Sequence, residues 1–332
     1  MDAAYLLKVL RSEVTRTMGC TDPVTVALGV ARAAEALGRP PERVKVDVSV
    51  NIYKNAICVG VPGTGERGLP IAAALGAVIA ESSAGLALLS GITTEQLDAA
   101  RALATRGAIT VDYLAGTPEV LYLKAEVAAG DDTAYAIISG DYTNIVEVGR
   151  NDEVLVASDA GVEADEATGF LTLEGLRLAE LFALVEECSE KELAFLVEAA
   201  VINRQAAEAA LADPRLELGR ALQAQATDDL PAPFAAMHRA QTLVAAASEA
   251  RMVGAAVPIM AVAGSGNQGI NNFLGVLAVA EVLGRPLDAM ARALAISSAV
   301  VALVKGYAAR LTAFCGGAIA ASCGVAAGQT YL

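Results

Sequence analysis

Apolar residues in the first hundred positions recur mainly with the period of a helix. Side chains spaced by three or four residues predict helices over residues 1–17, 22–37 and 94–106, and a helix or a helix pair over 69–88. Strict alternation of apolar and polar residues at 44–53 (VKVDVSVNIY) predicts a half-buried strand instead. The second helix begins directly after Cys20, with Thr21 or Asp22 as its cap and Pro23 in its first turn.

The spacing changes to that of strands between residues 108 and 158, where Gly-Asp, Asp-Asp and Asn-Asp pairs mark the turns. From about residue 173 the helical period returns. It predicts helices over residues 174–187, 190–211, 215–227, 233–252, 268–283, 286–303 and 307–328. We therefore predict the α+β class: an N-terminal mixed domain with an antiparallel sheet at residues 1–165, followed by a mostly α-helical domain at 166–332.

Composition and charge exclude several classes of protein. The formal net charge of −14 disfavours contacts with nucleic-acid phosphates and with anionic membranes. The N-terminus has no apolar core of signal-peptide length, and neither of the most apolar stretches, 253–263 and 313–327, forms an uninterrupted run long enough to span a membrane. We therefore expect a cytoplasmic protein. Apolar residues make up 55% of the chain, many of them alanine, which indicates close-packed helices and favours a homodimer.

Five cysteines, at positions 20, 58, 188, 315 and 323, lie far apart and include no CxxC pair, so a disulfide framework is not expected. Cys20 precedes a predicted helix, where the helix dipole favours a thiolate and lowers the pKa of the thiol. A buried structural cysteine is the alternative. Cys315 lies in RLTAFCGG, which we predict to begin a helix of small residues, and it is either a small core residue or a cofactor contact. We interpret Cys58, in a predicted apolar strand, and Cys188, near a helix end, as structural.

Two glycine-rich segments, 63–68 and 264–269, match G-x-G-x-x-G. A dinucleotide site needs this motif between a parallel strand and a helix, which neither predicted context provides. The segments are either tight turns or nests of backbone N–H groups that bind an anion such as a carboxylate. His238 is the only histidine, so zinc binding and a Ser–His or Cys–His arrangement are poorly supported, and we assign it a surface or packing role.

Five segments occur in the same order as in one known family. They are GCTDP (19–23), KNAICVGVPGTGERGLPIAAALGA (54–77), TNIV (143–146), SEARMVGAAVPIMAVAGSGNQGI (248–270) and VKGYAARLTAFCGGAIAA (304–321). Through these segments, which cover essentially the whole chain, the sequence resembles the L-cysteine desulfidase-like family. That family is related to the catalytic part of iron–sulfur L-serine dehydratases.

The resemblance implies a β-elimination without PLP, in which L-cysteine and water give pyruvate, ammonia and hydrogen sulfide. It also implies a [4Fe-4S] cluster held by three cysteines, with one iron open to the substrate. Cys20 matches the proton acceptor of the family, and Cys315 matches one cluster ligand. We assign amino-acid substrate binding to Lys54, Asn55, Gly63, Thr64, Gly65, Thr143, Asn144, Arg251, Gly264, Ser265, Gly266, Asn267, Gln268 and Gly269. Lys305 and Arg310 are further cations that would balance carboxylate or cluster charge.

The sequence departs from the family at three places. Relatives continue past Leu332 with a Cys-Asp-Gly-Ala-Lys-type motif and one more cysteine, which supply the other two ligands. Tyr142 replaces a histidine of many relatives, and Gly317 replaces a cysteine of some. We therefore expect a homodimer or a partner chain that carries the missing segment. Three alternatives stay open: the same reaction on L-serine, a cluster-free relative that acts as a binding module, and a PLP enzyme, for which no lysine is singled out.

Overall fold

The computed structural model describes residues 1–117, 119–157, 171–227, 229–308, 311–312 and 314–332. The chain divides into two compact units. Gly19–Thr168 and Met252–Ala256 form the sheet unit; Met1–Met18, Gly169–Arg251 and Val257–Leu332 form the helical unit. A mixed sheet together with many helices confirms the predicted α+β class. The predicted domain boundary at 165/166 lies outside the described residues.

The elements of the described residues are numbered in chain order. The helices are α1 Ala3–Glu13, α2 Thr21–Leu37, α3 Val50–Ala56, α4 Leu69–Ile79, α5 Thr94–Thr105, α6 Leu178–Glu187, α7 Glu190–Ala212, α8 Leu218–Gln223, α9 Ala232–Met252, α10 Gly266–Val282, α11 Leu287–Ala308 and α12 Ala320–Tyr331, with a short 3₁₀ helix at Gly85–Ala87. The strands are β1 Val14–Met18, β2 Arg43–Ser49, β3 Ile109–Leu114, β4 Tyr122–Ala129, β5 Asp132–Ser139, β6 Ile145–Arg150, β7 Glu153–Ala157 and β8 Pro258–Val262.

The sheet unit is built on six strands in the order β3-β2-β4-β5-β6-β7. Four strand pairs are antiparallel, as the turn-rich sequence predicts: β2–β4, β4–β5, β5–β6 and β6–β7. The pair β2–β3 is parallel, with Val44 opposite Ile109, and this pairing was not part of the predicted antiparallel sheet at 108–158. The long helical connection between these two strands is what a parallel pair requires.

Helix α2 covers one face of this sheet, against β4, β5 and β6, and also packs on α4. The helices approach closely because small residues lie at the contacts. A Cβ on Gly76 of α4 would lie 2.2 Å from the carbonyl oxygen of Ala27, and a Cβ on Gly29 would lie 2.3 Å from Cδ2 of Leu123. The alanine- and glycine-rich composition thus does produce close-packed buried helices.

The predicted strand at 44–53 ends earlier than expected. Val44, Val46 and Val48 are buried at alternate positions, but the chain then turns into α3. In α3 the buried residues are Ile52 and Ala56, which are four positions apart as on one helix face. Cys58 follows in a turn and is exposed, so its predicted place in an apolar strand is wrong.

In the helical unit, the predicted first helix at 1–17 is also too long. Its last residues form β1, which pairs antiparallel with β8 so that Val14 lies opposite Val262. The sequence Val14-Thr15-Arg16-Thr17 is rich in β-branched residues, which favour a strand once a partner strand is present. The apolar stretch 253–263 contains that partner strand.

The helix predicted at 307–328 is wrong in its first half. Helix α11 runs to Ala308 and α12 begins only at Ala320, so Cys315 lies in a turn rather than in a helix. Gly316 and Gly317 have low helix propensity. Asn271 donates a hydrogen bond from Nδ2 to the carbonyl of Gly317. The predicted helices at 174–187 and 215–227 likewise shorten, to α6 and α8.

One helix in the described part of the chain, Leu287–Ala308, is long and apolar enough to cross a membrane. Of its most apolar window, 61% is buried inside the folded chain. The stretches 253–263 and 313–327, which we interpreted as core, contribute β8 and α12.

Candidate functional site

In the sheet unit, Cys20 is the N-cap residue of α2. Its side chain is 5% exposed, and Sγ donates a hydrogen bond to Oδ2 of Asp22 across 3.3 Å. Asp22 is similarly buried, at 4% exposure, and lies in the first turn of the helix. A thiol and a carboxylate therefore meet at the positive end of a 17-residue helix dipole. The sequence pattern indicated Asp22 only as a cap; its position two residues after Cys20 is the signal that was missed.

The glycine-rich segment 63–68 lies against this helix start. A Cβ on Gly19, whose φ is +67°, would lie 2.1 Å from Cγ of Pro62, so the proline ring occupies the space beside the residue that precedes Cys20. Gly63 and Gly65 also have positive φ and are exposed, and a Cβ at either position would meet nothing within 4 Å. Both positions therefore face open space, and their positive φ also fits a tight turn.

The side chain of Thr64 supports the loop. It is buried, donates to the carbonyl of Val61 at 2.7 Å and accepts from the backbone N–H of Glu66 at 2.9 Å. The loop is further held by the segment Met252–Ala256, since Gly60 donates to the carbonyl of Met252 at 2.8 Å. The open positions of this loop are thus its two glycines and their backbone groups.

The turn between β5 and β6 also lies at the start of α2, because Thr25 donates from Oγ1 to the carbonyl of Tyr142 at 3.1 Å. Thr143 bonds to Asp141, and Asn144 donates from Nδ2 to the carbonyl of Ser139 at 2.9 Å. Both side chains therefore close the turn, although both residues are exposed. Lys54 and Asn55 lie in the last turn of α3, a helix that contacts α2, and Lys54 is exposed.

In the helical unit, the segment 264–269 forms the start of α10. Ser265 is its N-cap and accepts from the backbone N–H of Gln268 at 3.4 Å. A Cβ on Gly269 would lie 1.9 Å from the carbonyl oxygen of Met260, so this turn packs directly on β8. The first turn of a long helix offers backbone N–H donors and the positive end of the dipole, which suits a carboxylate.

A buried arginine accompanies this helix start. Arg251, at the end of α9, is 5% exposed and donates from Nη1 to Oδ1 of Asn267 at 3.1 Å. A Cβ on Gly266 would lie 2.4 Å from Nε of Arg251, so glycine is needed for the arginine to lie there. Lys305, the other candidate cation described in this unit, is buried at 6% exposure in α11. Arg310 lies outside the described residues.

The turn that carries Cys315 lies on the same part of α10. A Cβ on Gly316 would lie 2.7 Å from Nε2 of Gln268, and a Cβ on Gly317 would lie 3.2 Å from Nδ2 of Asn271 and 3.5 Å from Sγ of Cys315. Gln268 is 1% exposed, and its Oε1 has no hydrogen-bond partner among the described residues. The sequence pattern did not single out Asn271, which shares a helix face with Asn267 because the two are four residues apart.

The [4Fe-4S] cluster that the resemblance implies requires a group of metal-ligating side chains that lie close together. No group of three or more His, Cys, Asp or Glu side chains able to hold a metal ion occurs in the described part of the chain. Cys315 and Cys323 are exposed, whereas Cys188 is buried beside Glu192 and Glu187. Burial, followed by these two charges, raises the pKa of the Cys188 thiol, as expected for a structural cysteine. The described residues thus do not form a complete ligand set for a [4Fe-4S] cluster.

These features define a two-unit α+β protein with a buried thiol–carboxylate pair in one unit and, in the other, a helix start accompanied by a buried arginine. Comparison with known proteins identifies its class. The family profile of the serine dehydratase alpha chain matches residues 147–332. The chain belongs to this family, which comprises lyase-type, iron–sulfur-associated proteins. The predicted resemblance is therefore confirmed.

The relatives are similar along nearly the whole chain. A UPF0597 protein of Methanocella arvoryzae is 50% identical over 100% of this chain and 77% of its own length. A UPF0597 protein of Bacteroides fragilis strain ATCC 25285 is 39% identical over 96% of this chain and 75% of its own length. Another, of Oleidesulfovibrio alaskensis, is 36% identical over 96% and 74%. No solved structure matches the chain significantly.

Proposed function

We propose that this protein is a cytoplasmic, PLP-independent amino-acid lyase that converts L-cysteine into pyruvate, ammonia and hydrogen sulfide. The observation that carries the proposal is the buried pair of Cys20 and Asp22 at the start of α2, within a chain of the serine dehydratase alpha family. A β-elimination needs a base for the α-proton, and a thiol beside a proton acceptor supplies one.

The substrate carboxylate is assigned to the start of α10. Backbone N–H groups of the first turn, the side chain of Asn267 and the charge of Arg251 all lie there. Arg251 is 5% exposed, so its charge is screened less by water than that of a surface arginine, and its interaction with a carboxylate is stronger. Within the sheet unit, the open glycines of the 63–65 loop are assigned to polar groups of an amino-acid ligand.

The α-proton is assigned to Cys20. Removal of this proton leaves the electron pair of the Cα–H bond to form the Cα–Cβ double bond, while the bond from Cβ to sulfur breaks and its electron pair leaves with the sulfide. The resulting aminoacrylate takes up water and releases ammonia to give pyruvate. With L-serine, the same steps would release water in place of hydrogen sulfide.

Cys315 is the residue that we assign to an iron–sulfur cluster, by its match to the family position. Since the described residues hold no group of three ligands, a complete cluster would need ligands from outside the described residues. A homodimer or a partner chain that supplies them is part of the proposal, and we assign no catalytic step to the cluster.

The test is an anaerobic assay of the purified chain, supplied with iron and sulfide and given L-cysteine or L-serine in turn. We expect pyruvate from L-cysteine, with hydrogen sulfide in equal amount. Cys20→Ala should remove this activity, because no thiol remains beside Asp22. Cys58→Ala is the matched control, since Cys58 is an exposed cysteine in a turn of the same unit, and it should leave the rate unchanged. Full activity of Cys20→Ala would contradict the base assignment, and pyruvate from L-serine alone would contradict the substrate.

A second candidate, a partner-dependent or non-catalytic relative, is favoured by the lack of a three-ligand group in the described residues. In that case the anaerobically reconstituted chain would contain less iron than one cluster requires, and it would not show the brown absorbance of an iron–sulfur cluster. The iron content of the reconstituted Cys315→Ser and Cys323→Ser variants separates the two candidates. If Cys315 holds a cluster, Cys315→Ser lowers the iron content and Cys323→Ser does not.

A further inference from the structure

The acceptor of the hydrogen bond from Cys20 is a buried carboxylate, and neither the family resemblance nor the relatives' names assign it a role. We propose that Asp22 is the positioning and proton-accepting partner of Cys20, so that the two side chains remove the substrate α-proton as a relay. This inference rests on the proposed lyase function and adds a second residue to it. The geometry at the start of α2 carries it.

The local sequence explains why the sulfur points to Asp22. An N-cap side chain normally accepts a hydrogen bond from the backbone N–H of the second or third helical residue. Pro23 is the third helical residue and has no N–H, and Cys20 makes no such capping bond. Its Sγ is instead directed to the carboxylate two residues on.

The position of the pair is fixed from outside the helix as well. Gly19 holds a left-handed φ of +67° against the ring of Pro62, which sets the direction in which the chain enters the helix. Thr25, fully buried, ties the next turn of the helix to the carbonyl of Tyr142. Because both partners are about 95% buried, solvent does not compete strongly for their hydrogen bond.

The relay step balances without another reactant. The substrate Cα–H bond breaks and its proton joins Sγ of Cys20. At the same time the original S–H bond breaks and that proton joins Oδ2 of Asp22. The electron pair of the Cα–H bond enters the new double bond, and the leaving group departs with the electrons of its own bond to Cβ. Asp22 later returns its proton to water, and the pair is restored.

This arrangement does not need a preformed thiolate. A thiol acting alone, with an ordinary pKa of about 8.5, would be only about 3% ionised at pH 7. With a carboxylate as final acceptor, the rate should not depend on ionisation of the thiol above neutral pH. The pH profile therefore distinguishes a relay from an isolated thiol.

The experiment compares wild type, Asp22→Asn and Asp22→Glu over pH 5 to 10. For Asp22→Asn we expect about a 30-fold loss at pH 7 that is largely regained by pH 9, because the thiol must then ionise by itself. Asp22→Glu should restore the shape of the wild-type profile at a lower rate, and it serves as the folded reference should Asp22→Asn not fold. Asp98→Asn, an exposed carboxylate on α5 that pairs with Arg101, is the control and should change nothing. An equal loss at every pH would mean a structural role and would overturn the relay.

A second readout does not depend on turnover. The Raman S–H stretching band of Cys20, identified by its loss in Cys20→Ala, should move when Asp22→Asn replaces a charged acceptor by a neutral one. An unmoved band overturns the proposal.

Exchange of the α-hydrogen of L-alanine in D₂O, followed by proton NMR, separates the relay from the lyase reaction, since alanine has no leaving group. Exchange that depends on Asp22 without any pyruvate from L-cysteine supports the relay and contradicts the lyase function; absence of both exchange and elimination overturns both.

Discussion

Arg251 donates a hydrogen bond from Nη1 to Oδ1 of Asn267, 3.1 Å away, at the start of α10. This bond depends on Gly266, where a Cβ would lie 2.4 Å from Nε of the same arginine. The arginine is 5% exposed, so it has little room to move aside. The glycine-rich segment therefore does more than form a turn, because it makes space for a buried cation beside a helix N-terminus.

The first prediction is that Gly266→Ala displaces Arg251 and weakens amino-acid binding. KM should rise by about tenfold or more, which corresponds to a loss of about 1.4 kcal/mol of binding free energy, while kcat changes less. Gly275→Ala, in the same helix, is the control because the nearest atoms to its Cβ would all belong to the side chain of Val325, at 3.0–3.7 Å. Steady-state kinetics on both variants check this; an equal rise in KM for the control would count against the specific role of Gly266.

The second prediction concerns the contact between α4 and α2. Gly76→Ala would place a Cβ 2.2 Å from the backbone oxygen of Ala27, and a backbone atom cannot rotate away. We expect a loss of about 1–3 kcal/mol in the free energy of unfolding, measured by urea titration. Ala80→Gly, at the C-cap of α4, is the control: it removes a side chain from a residue at φ +48° and adds no contact, so stability should not fall. A stable Gly76→Ala would show that the helices can separate without cost.

The third prediction concerns a buried polar network in the helical unit. Asn272 of α10 donates from Nδ2 to Oγ of Ser298 at 2.8 Å and accepts a hydrogen bond from Ser297, and all three residues are fully buried. Asn272→Ala leaves both serine hydroxyls without this partner and should cost about 1–3 kcal/mol of stability.

A double-mutant cycle measures the coupling within this network. Asn272→Ala and Ser298→Ala should be non-additive by about 0.5–3 kcal/mol, because they share one hydrogen bond. Asn272→Ala combined with Ser322→Ala is the control, since Ser322 is exposed and bonds to the carbonyl of Ala318, four residues back. Additive effects in the first cycle would contradict the network.

The fourth prediction concerns the pH dependence of the sheet unit. Tyr135 donates its hydroxyl to Glu147, and this hydrogen bond raises the pKa of Tyr135 to about 12. Because the folded pKa exceeds the unfolded value of about 10, the stabilisation is fully present below pH 10 and is lost as the pH rises from about 10 to 12. Glu147→Gln should return one tyrosine absorbance transition toward pH 10.

The corresponding stability measurement uses Tyr135→Phe. Its unfolding free energy should depend less on pH than that of wild type between pH 10 and 12. An identical alkaline loss in wild type and variant would show that Tyr135 does not contribute to it.

Local signals explain why several elements matched their predicted bounds. The Ser189–Glu192 capping box starts α7, and Ser265 caps α10. Pro23 and the left-handed Gly38 delimit α2. Each signal acts over three or four residues, so it is present in the sequence itself. The predictions were wrong at 14–18 and 50–56. At 14–18, pairing with a distant strand favoured a strand over a helix, and at 50–56, burial of one helix face favoured a helix over a strand.

Through short-range physics, the sequence by itself determined the starts of the helices with clear caps, such as α7, the position of Cys20 at the start of α2 and the glycine-rich segments. Its ordered motifs determined membership of the family. The tertiary structure alone decided that Val14 pairs with Val262, that β2 and β3 run parallel, and that the Cys315 turn lies on the face of α10 that carries Gln268 and Asn271. These contacts join residues far apart in the chain. Their free energy comes from shared burial and from hydrogen bonds that no local window contains, so a local pattern cannot specify them.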